Sequence, residues 1–81
     1  MTNQIANIGI LVKDFSKAPE INAILHAYSD NILNRSGQPY REKNVRLINV
    51  TLESSPQMIN ELSAKLSAVE GVSSKIMTFD L

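Results

Sequence analysis

The chain has 81 residues, with eight basic and eight acidic side chains, one histidine and no cysteine. Its length fits one domain with a thin core, the absence of cysteine excludes disulfides and thiolate metal sites, and the balanced charge argues against the basic footprint of a nucleic-acid-binding domain. A core of this size rarely supplies more than about 3–5 kcal/mol, so with no disulfide to reinforce it, oligomerisation is the expected support. No apolar run approaches the roughly 18 residues of a membrane span, and no basic flank with a small-residue cleavage site opens the chain. A cytoplasmic protein with no membrane partner is expected.

Residues 5 to 13 alternate with period two, which places Ala6, Ile8, Ile10 and Val12 on one strand face. The opposite face carries Ile5, Asn7, Gly9, Leu11 and Lys13, so it is mixed rather than purely solvated. Asp14, Ser16 and Pro19 form a helix-entry cluster. Over residues 18 to 31, Ile21, Ile24, Leu25 and Tyr28 fall at i, i+3, i+4 and i+7 and draw one apolar helical stripe. Gly37 and Pro39 punctuate an imperfect strand arm over residues 33 to 41, and Glu42, Lys43 and Asn44 read as a hairpin turn because Asn tolerates positive φ.

Residues 45 to 53 are rich in β-branched side chains and predict a strong strand, with Ile48, Val50 and Leu52 facing the core and Leu47, Asn49 and Thr51 facing away. Ser55 before Pro56 predicts a helix start; Met58, Ile59, Leu62, Leu66 and Val69 form its stripe, and Gly71 its C-terminal cap. A last strand follows over residues 72 to 79. The order strand, helix, strand, strand, helix, strand predicts an α+β, ferredoxin-like sandwich in which two helices cover one face of a four-stranded antiparallel sheet. The uncovered face would carry Gly9, Leu11, Leu47, Asn49 and Thr51, and a partner subunit is its natural cover.

Leu25-His26-Ala27-Tyr28-Ser29-Asp30, then Arg35-Ser36-Gly37-Gln38-Pro39-Tyr40, then Leu62-Ser63-Ala64-Lys65-Leu66 with Gly71-Val72, together resemble the iron-only hydrogenase system regulator family. The most specific part is the His-x-Tyr-Ser-Asp helix end followed by the Arg-x-Gly-x-Pro-Tyr loop. This resemblance implies a fold similar to ACT regulatory domains and to the C-terminal effector domain of nickel-responsive repressors, folds that assemble through their sheets and bind small ligands or metals at subunit interfaces. It also implies a regulatory role in a hydrogenase maturation system. With no residues to spare for a ribbon-helix-helix domain, any transcriptional effect is expected to need a partner regulatory protein.

Several residues carry chemistry and are open to two readings. His26 and Asp30, one helical turn apart on the same face, suit either a local hydrogen bond or part of a metal site completed by symmetry. Two ligands alone do not make such a site, so no metal or cofactor is assigned. Arg35 and Arg41 bracket Gly37 and Tyr40, and guanidinium forks beside a glycine-bent backbone suit a carboxylate or phosphate; the alternative is that the loop is a bulge whose arginines pair with neighbouring acids. Gly9 permits close approach of another backbone, or marks a bulge. Catalysis is not expected, because there is no cysteine nucleophile, no second histidine and no glycine-rich phosphate loop. The sequence therefore points to a homo-oligomeric, ACT-like module that binds a small effector through His26, Asp30, Arg35, Gly37, Tyr40 and Arg41. A structural adaptor that docks a partner protein is the alternative, and a metal sensor the third.

Overall fold

A computed structural model describes residues 2–81. The six main elements are β1 (Gln4–Val12), α1 (Ala18–His26), β2 (Ile32–Tyr40), β3 (Val45–Ser54), α2 (Pro56–Ser67) and β4 (Val72–Asp80). The strands form one antiparallel sheet in the order β2-β3-β1-β4. With both helices on one face, this is the ferredoxin-like arrangement that the element order predicts. No helix is long and apolar enough to cross a membrane.

Period-two alternation decides which side chains the helices cover. Ala6, Ile8, Ile10 and Val12 of β1, with Ile48, Val50 and Leu52 of β3, are all buried. They meet Ile21 and Leu25 from α1 and Ile59, Leu62 and Leu66 from α2 in a single core, as the apolar stripes require. Helix α2 starts as its sequence dictates. Ser55 Oγ accepts a hydrogen bond from the Met58 amide at 3.2 Å, and Pro56 takes a first-turn position where its missing N–H costs nothing.

Two helix expectations need correction. Helix α1 ends at His26 rather than running to residue 31; Tyr28 leaves helical geometry and a separate 3-10 turn, Ser29–Asn31, follows. The short polar residues hold this turn in place of another helical turn: the Asn31 amide donates to the Tyr28 carbonyl at 2.9 Å, and Asn31 Nδ2 donates to the Glu53 carbonyl at the far end of β3. Tyr28 still reaches the core from beyond the helix, and the Lys65 ammonium of α2 sits 5.2 Å from its ring centroid. Met58 does not join the core stripe but is exposed. It lies one residue, about 100°, off the Ile59-Leu62-Leu66 line, and its Sδ instead accepts a hydrogen bond from the buried Ser54 hydroxyl.

The connections follow local chemistry. Asp14 caps a short 3-10 turn, Phe15–Lys17, that feeds α1. Asn44 closes the β2–β3 hairpin in the left-handed region, at φ 55°, after the 3-10 turn Arg41–Lys43. Gly71 also has positive φ, at 78°, and its carbonyl accepts the Lys13 amide at 2.8 Å. A Cβ there would lie 3.2 Å from the Asp14 Cβ. Gly71→Ala is therefore expected to cost about 1–2 kcal/mol of stability from the αL penalty and this close approach, read as a lowered urea midpoint; an unchanged midpoint would show that the turn relaxes freely.

The Asp14 carboxylate accepts hydrogen bonds from the Ser16 hydroxyl at 2.7 Å and from the Ser16 amide at 3.0 Å. These two bonds hold its pKa below the ordinary value. Because the folded-state pKa is depressed, the contribution is present above the unfolded-state value of about 3.9 and is lost as pH falls through the folded-state value. The stability gap between the wild type and Asp14→Ala should accordingly narrow as pH drops below about 4, which urea titrations along a pH series would check.

Candidate functional site

Strand β2 is an edge strand, and the helices cover it incompletely. Its register sets Arg35 opposite Val50, Gly37 opposite Ile48 and Pro39 opposite Arg46, so all of these share the helix-side face. Ser36, Gln38 and Tyr40 pair with Asn49, Leu47 and Val45 and lie on the other face. A register shift between Ile32 and Asn34 leaves Leu33 as the extra, exposed residue of a bulge. The bulge sets the parity of everything that follows on β2.

Between α1 and the helix-side face of β2 lies a cavity of about 480 Å³. Arg35 and Arg46 reach it from the sheet, Asn22 and Ile21 from α1, and Phe15 from the entry turn, with Gly37 at the floor. The Arg35 Nη2 donates a hydrogen bond to Asn22 Oδ1, which ties β2 to α1 across the cavity. A Cβ on Gly37 would come no nearer than 3.9 Å, to Arg46 Nε. The glycine therefore leaves the floor open without being required by backbone conformation.

Two further cavities continue this one along β2. One, shared through Asn22 and Arg35, is lined also by His26, Ser29 and Ile32. The other, shared through Phe15 and Arg46, is lined by Pro39, Arg41 and Asn44. The six residues singled out from the sequence are thus divided. Arg35, Gly37, Arg41 and His26 lie along one groove, Tyr40 is on the opposite sheet face, and Asp30 lines none of these cavities. Since α1 ends at His26, Asp30 is not one helical turn further along the same helix face. No group of three or more histidine, aspartate or glutamate side chains among the described residues could hold a metal ion.

Sequence reasoning missed Arg46, Asn22 and Phe15. A signal for Arg46 was present, because it shares the parity of Ile48, Val50 and Leu52 and so places a charge on the core-facing side of a strand. Asn22 and Phe15 carry no comparable signal, since only the packing of α1 over the sheet brings them to β2.

The uncovered sheet face gathers Gly9, Leu11, Leu47, Asn49 and Thr51 as the alternation predicts. Strand β4 adds Met77 opposite Asn7 and Phe79 opposite Ile5, and Leu47, Met77 and Phe79 are exposed. Across this face Thr51 Oγ1 donates to Asn7 Oδ1 at 2.8 Å. At Gly9 a Cβ would meet only Asn49 Oδ1, at 3.8 Å, so nothing within the chain demands glycine there.

The sequence matches, over residues 4–76, the family described as "TM1266-like: Iron-only hydrogenase system regulator, putative". Among solved structures, the uncharacterized protein TM1266 from Thermotoga maritima is similar, with 35% identity and a TM-score of 0.89 over 95% of this chain and 98% of that one. No curated protein matches the sequence. A match across nearly all of β1 to β4, together with a shared fold at this identity, shows that the chain belongs to the TM1266-like family of iron-only hydrogenase system regulators.

Proposed function

We propose that the protein is an oligomeric, ACT-like sensing module of a hydrogenase system, in which a small effector bound in the β2 groove alters assembly or partner binding. The observation that carries this reading is the two-sidedness of β2. Arg35 and Gly37 face the groove while Ser36, Gln38 and Tyr40 face the uncovered sheet surface, so one strand separates ligand from interface. A ligand that orders β2 changes the surface offered to a second subunit, and coupling follows wherever the two assembly states bind the ligand with different affinity. The regulator name of the family agrees with a binding role rather than a catalytic one.

The uncovered face supports the assembly half of the reading. Exposed Leu47 and Met77 flank the side-chain-free surface at Gly9, with exposed Phe79 further along the same face, an arrangement that lets another sheet approach closely. The same exposed residues favour a second reading, an adaptor that docks a partner protein without an effector. Native mass spectrometry of gently purified protein separates these: an oligomer carrying excess ligand mass is the expected result. A bare oligomer that no small molecule alters supports the adaptor, and a bare monomer at micromolar concentration overturns the sensing module.

A further inference from the structure

Cavity by cavity, the groove along β2 has one property that the chain as a whole lacks. Arg35, Arg46, Arg41 and His26 line its three neighbouring cavities, which share lining residues, and no aspartate or glutamate lines any of them. The protein overall has eight acidic residues to balance eight basic ones, so this segregation is local. In the central cavity two guanidiniums share one space with the Asn22 amide. Asn22 Oδ1 already accepts from Arg35, so what its amide has left to offer is chiefly the donor NH2 group. Donors therefore converge on the cavity with little to accept from them.

Apolar side chains lie beside these donors: Val12 pairs with Arg46 and Ile48 with Gly37 in the sheet register. Val12, Ile21 and Ile48 form the inner side of the cavity and the half-exposed Phe15 ring its rim. The cavity volume, about 480 Å³, falls within the roughly 300–1,000 Å³ of small-molecule sites. Two neighbouring positive charges are best neutralised by a group carrying close to two negative charges, and a phosphomonoester near neutral pH carries about −1.5 to −2 with three acceptor oxygens. A single carboxylate would leave one guanidinium uncompensated.

We propose that the central cavity of the β2 groove binds a small organic phosphate, with the phosphoryl group between Arg35 and Arg46 and a flat apolar body against Phe15. This assignment names the effector class of the sensing module proposed above and rests on that reading. Gly37 is the specificity element, because any side chain there would project into the space between the two arginines. Arg46 is the residue whose loss separates phosphate from neutral analogues, since it meets the ligand from β3 without bonding to Asn22.

Isothermal titration calorimetry with phenyl phosphate, inorganic phosphate and benzoate tests the assignment. Phenyl phosphate should bind once per chain and more tightly than either other probe. Arg46→Gln should weaken it at least about tenfold, the loss expected for a charge-assisted hydrogen-bonding partner. Gly37→Val should abolish binding while keeping or raising thermal stability, because valine favours an edge strand and the backbone at residue 37 is not in the positive-φ region. Lys43→Gln, on the hairpin turn outside the cavity, should bind as the wild type does. Absence of binding at millimolar phenyl phosphate, benzoate binding equally well, or a folded Gly37→Val that binds normally would each overturn the proposal. Failure here with a non-phosphate molecule retained in native mass spectrometry would remove the ligand class and leave the sensing module standing. Phosphate binding that leaves assembly and partner binding unchanged would uphold the site and remove the sensing role.

Discussion

Leu62→Ala is expected to lower the unfolding free energy by about 3 kcal/mol, within the roughly 2–5 kcal/mol seen when a buried leucine is truncated. Leu62 is fully buried and lies in the middle of the α2 stripe, in the core formed with β1 and β3. A core of this size supplies about 3–5 kcal/mol, so the loss is most of what keeps it folded. Small domains have few other contacts over which to spread a cavity. Urea denaturation would show a reduced midpoint at constant slope. A loss under about 1 kcal/mol would mean that α2 collapses into the space, contrary to the close packing of the two layers.

The second large effect concerns assembly rather than folding. Under the sheet-to-sheet assembly proposed above, joint replacement of Leu47 and Met77 by aspartate should leave a folded chain that sediments as a monomer in analytical ultracentrifugation where the wild type sediments as an oligomer. Both side chains are exposed on the uncovered face, on rows that flank Gly9 in the sheet register, so the change in monomer stability should stay near about 1 kcal/mol each, the span of strand propensity. In a symmetric sheet-to-sheet contact each carboxylate occurs in both subunits, so the interface would bury four new charges, more than the one lysine per subunit that the register places beside Gly9, Lys75, can match. Persistence of the oligomer would place its interface elsewhere, with the edges of β2 and β4 the next surfaces to probe.

Particular residues show where sequence reasoning was sufficient. Ile8 and Ile10, or Val50 and Leu52, declare their burial by alternation, and the structure buries all four. Ser55-Pro56 fixes the start of α2 through a hydrogen bond and a missing N–H, both local events. Asn44 takes the positive φ that its residue type tolerates. The end of α1 was not legible, because the Tyr28 spacing fits a longer helix and the competing hold on Asn31 comes from Glu53, twenty-two residues away. Met58 was misplaced for a related reason: its apolar character fits a core stripe, but the buried Ser54 hydroxyl uses its sulfur at the sheet edge of the helix.

The candidate site divides along the same line. Arg35, Gly37, Arg41 and His26 were visible as chemistry-rich residues near a helix end, and the uncovered face around Gly9 was visible from strand parity. Which of them share a surface was not, because the bulge at Leu33 sets the parity of β2 and sends Tyr40 to the face opposite Arg35. Arg46, Asn22 and Phe15 meet Arg35 only when α1 packs over the β2–β3 hairpin. The ferredoxin-like order, the core and the two-faced sheet are written in the residues themselves, since they follow from periodicities of 2 and 3.6 and from local caps. Tertiary structure alone decided that three arginines and the histidine line one groove free of carboxylates, because that depends on strand register and helix placement between residues distant in the chain, and no local periodicity encodes either.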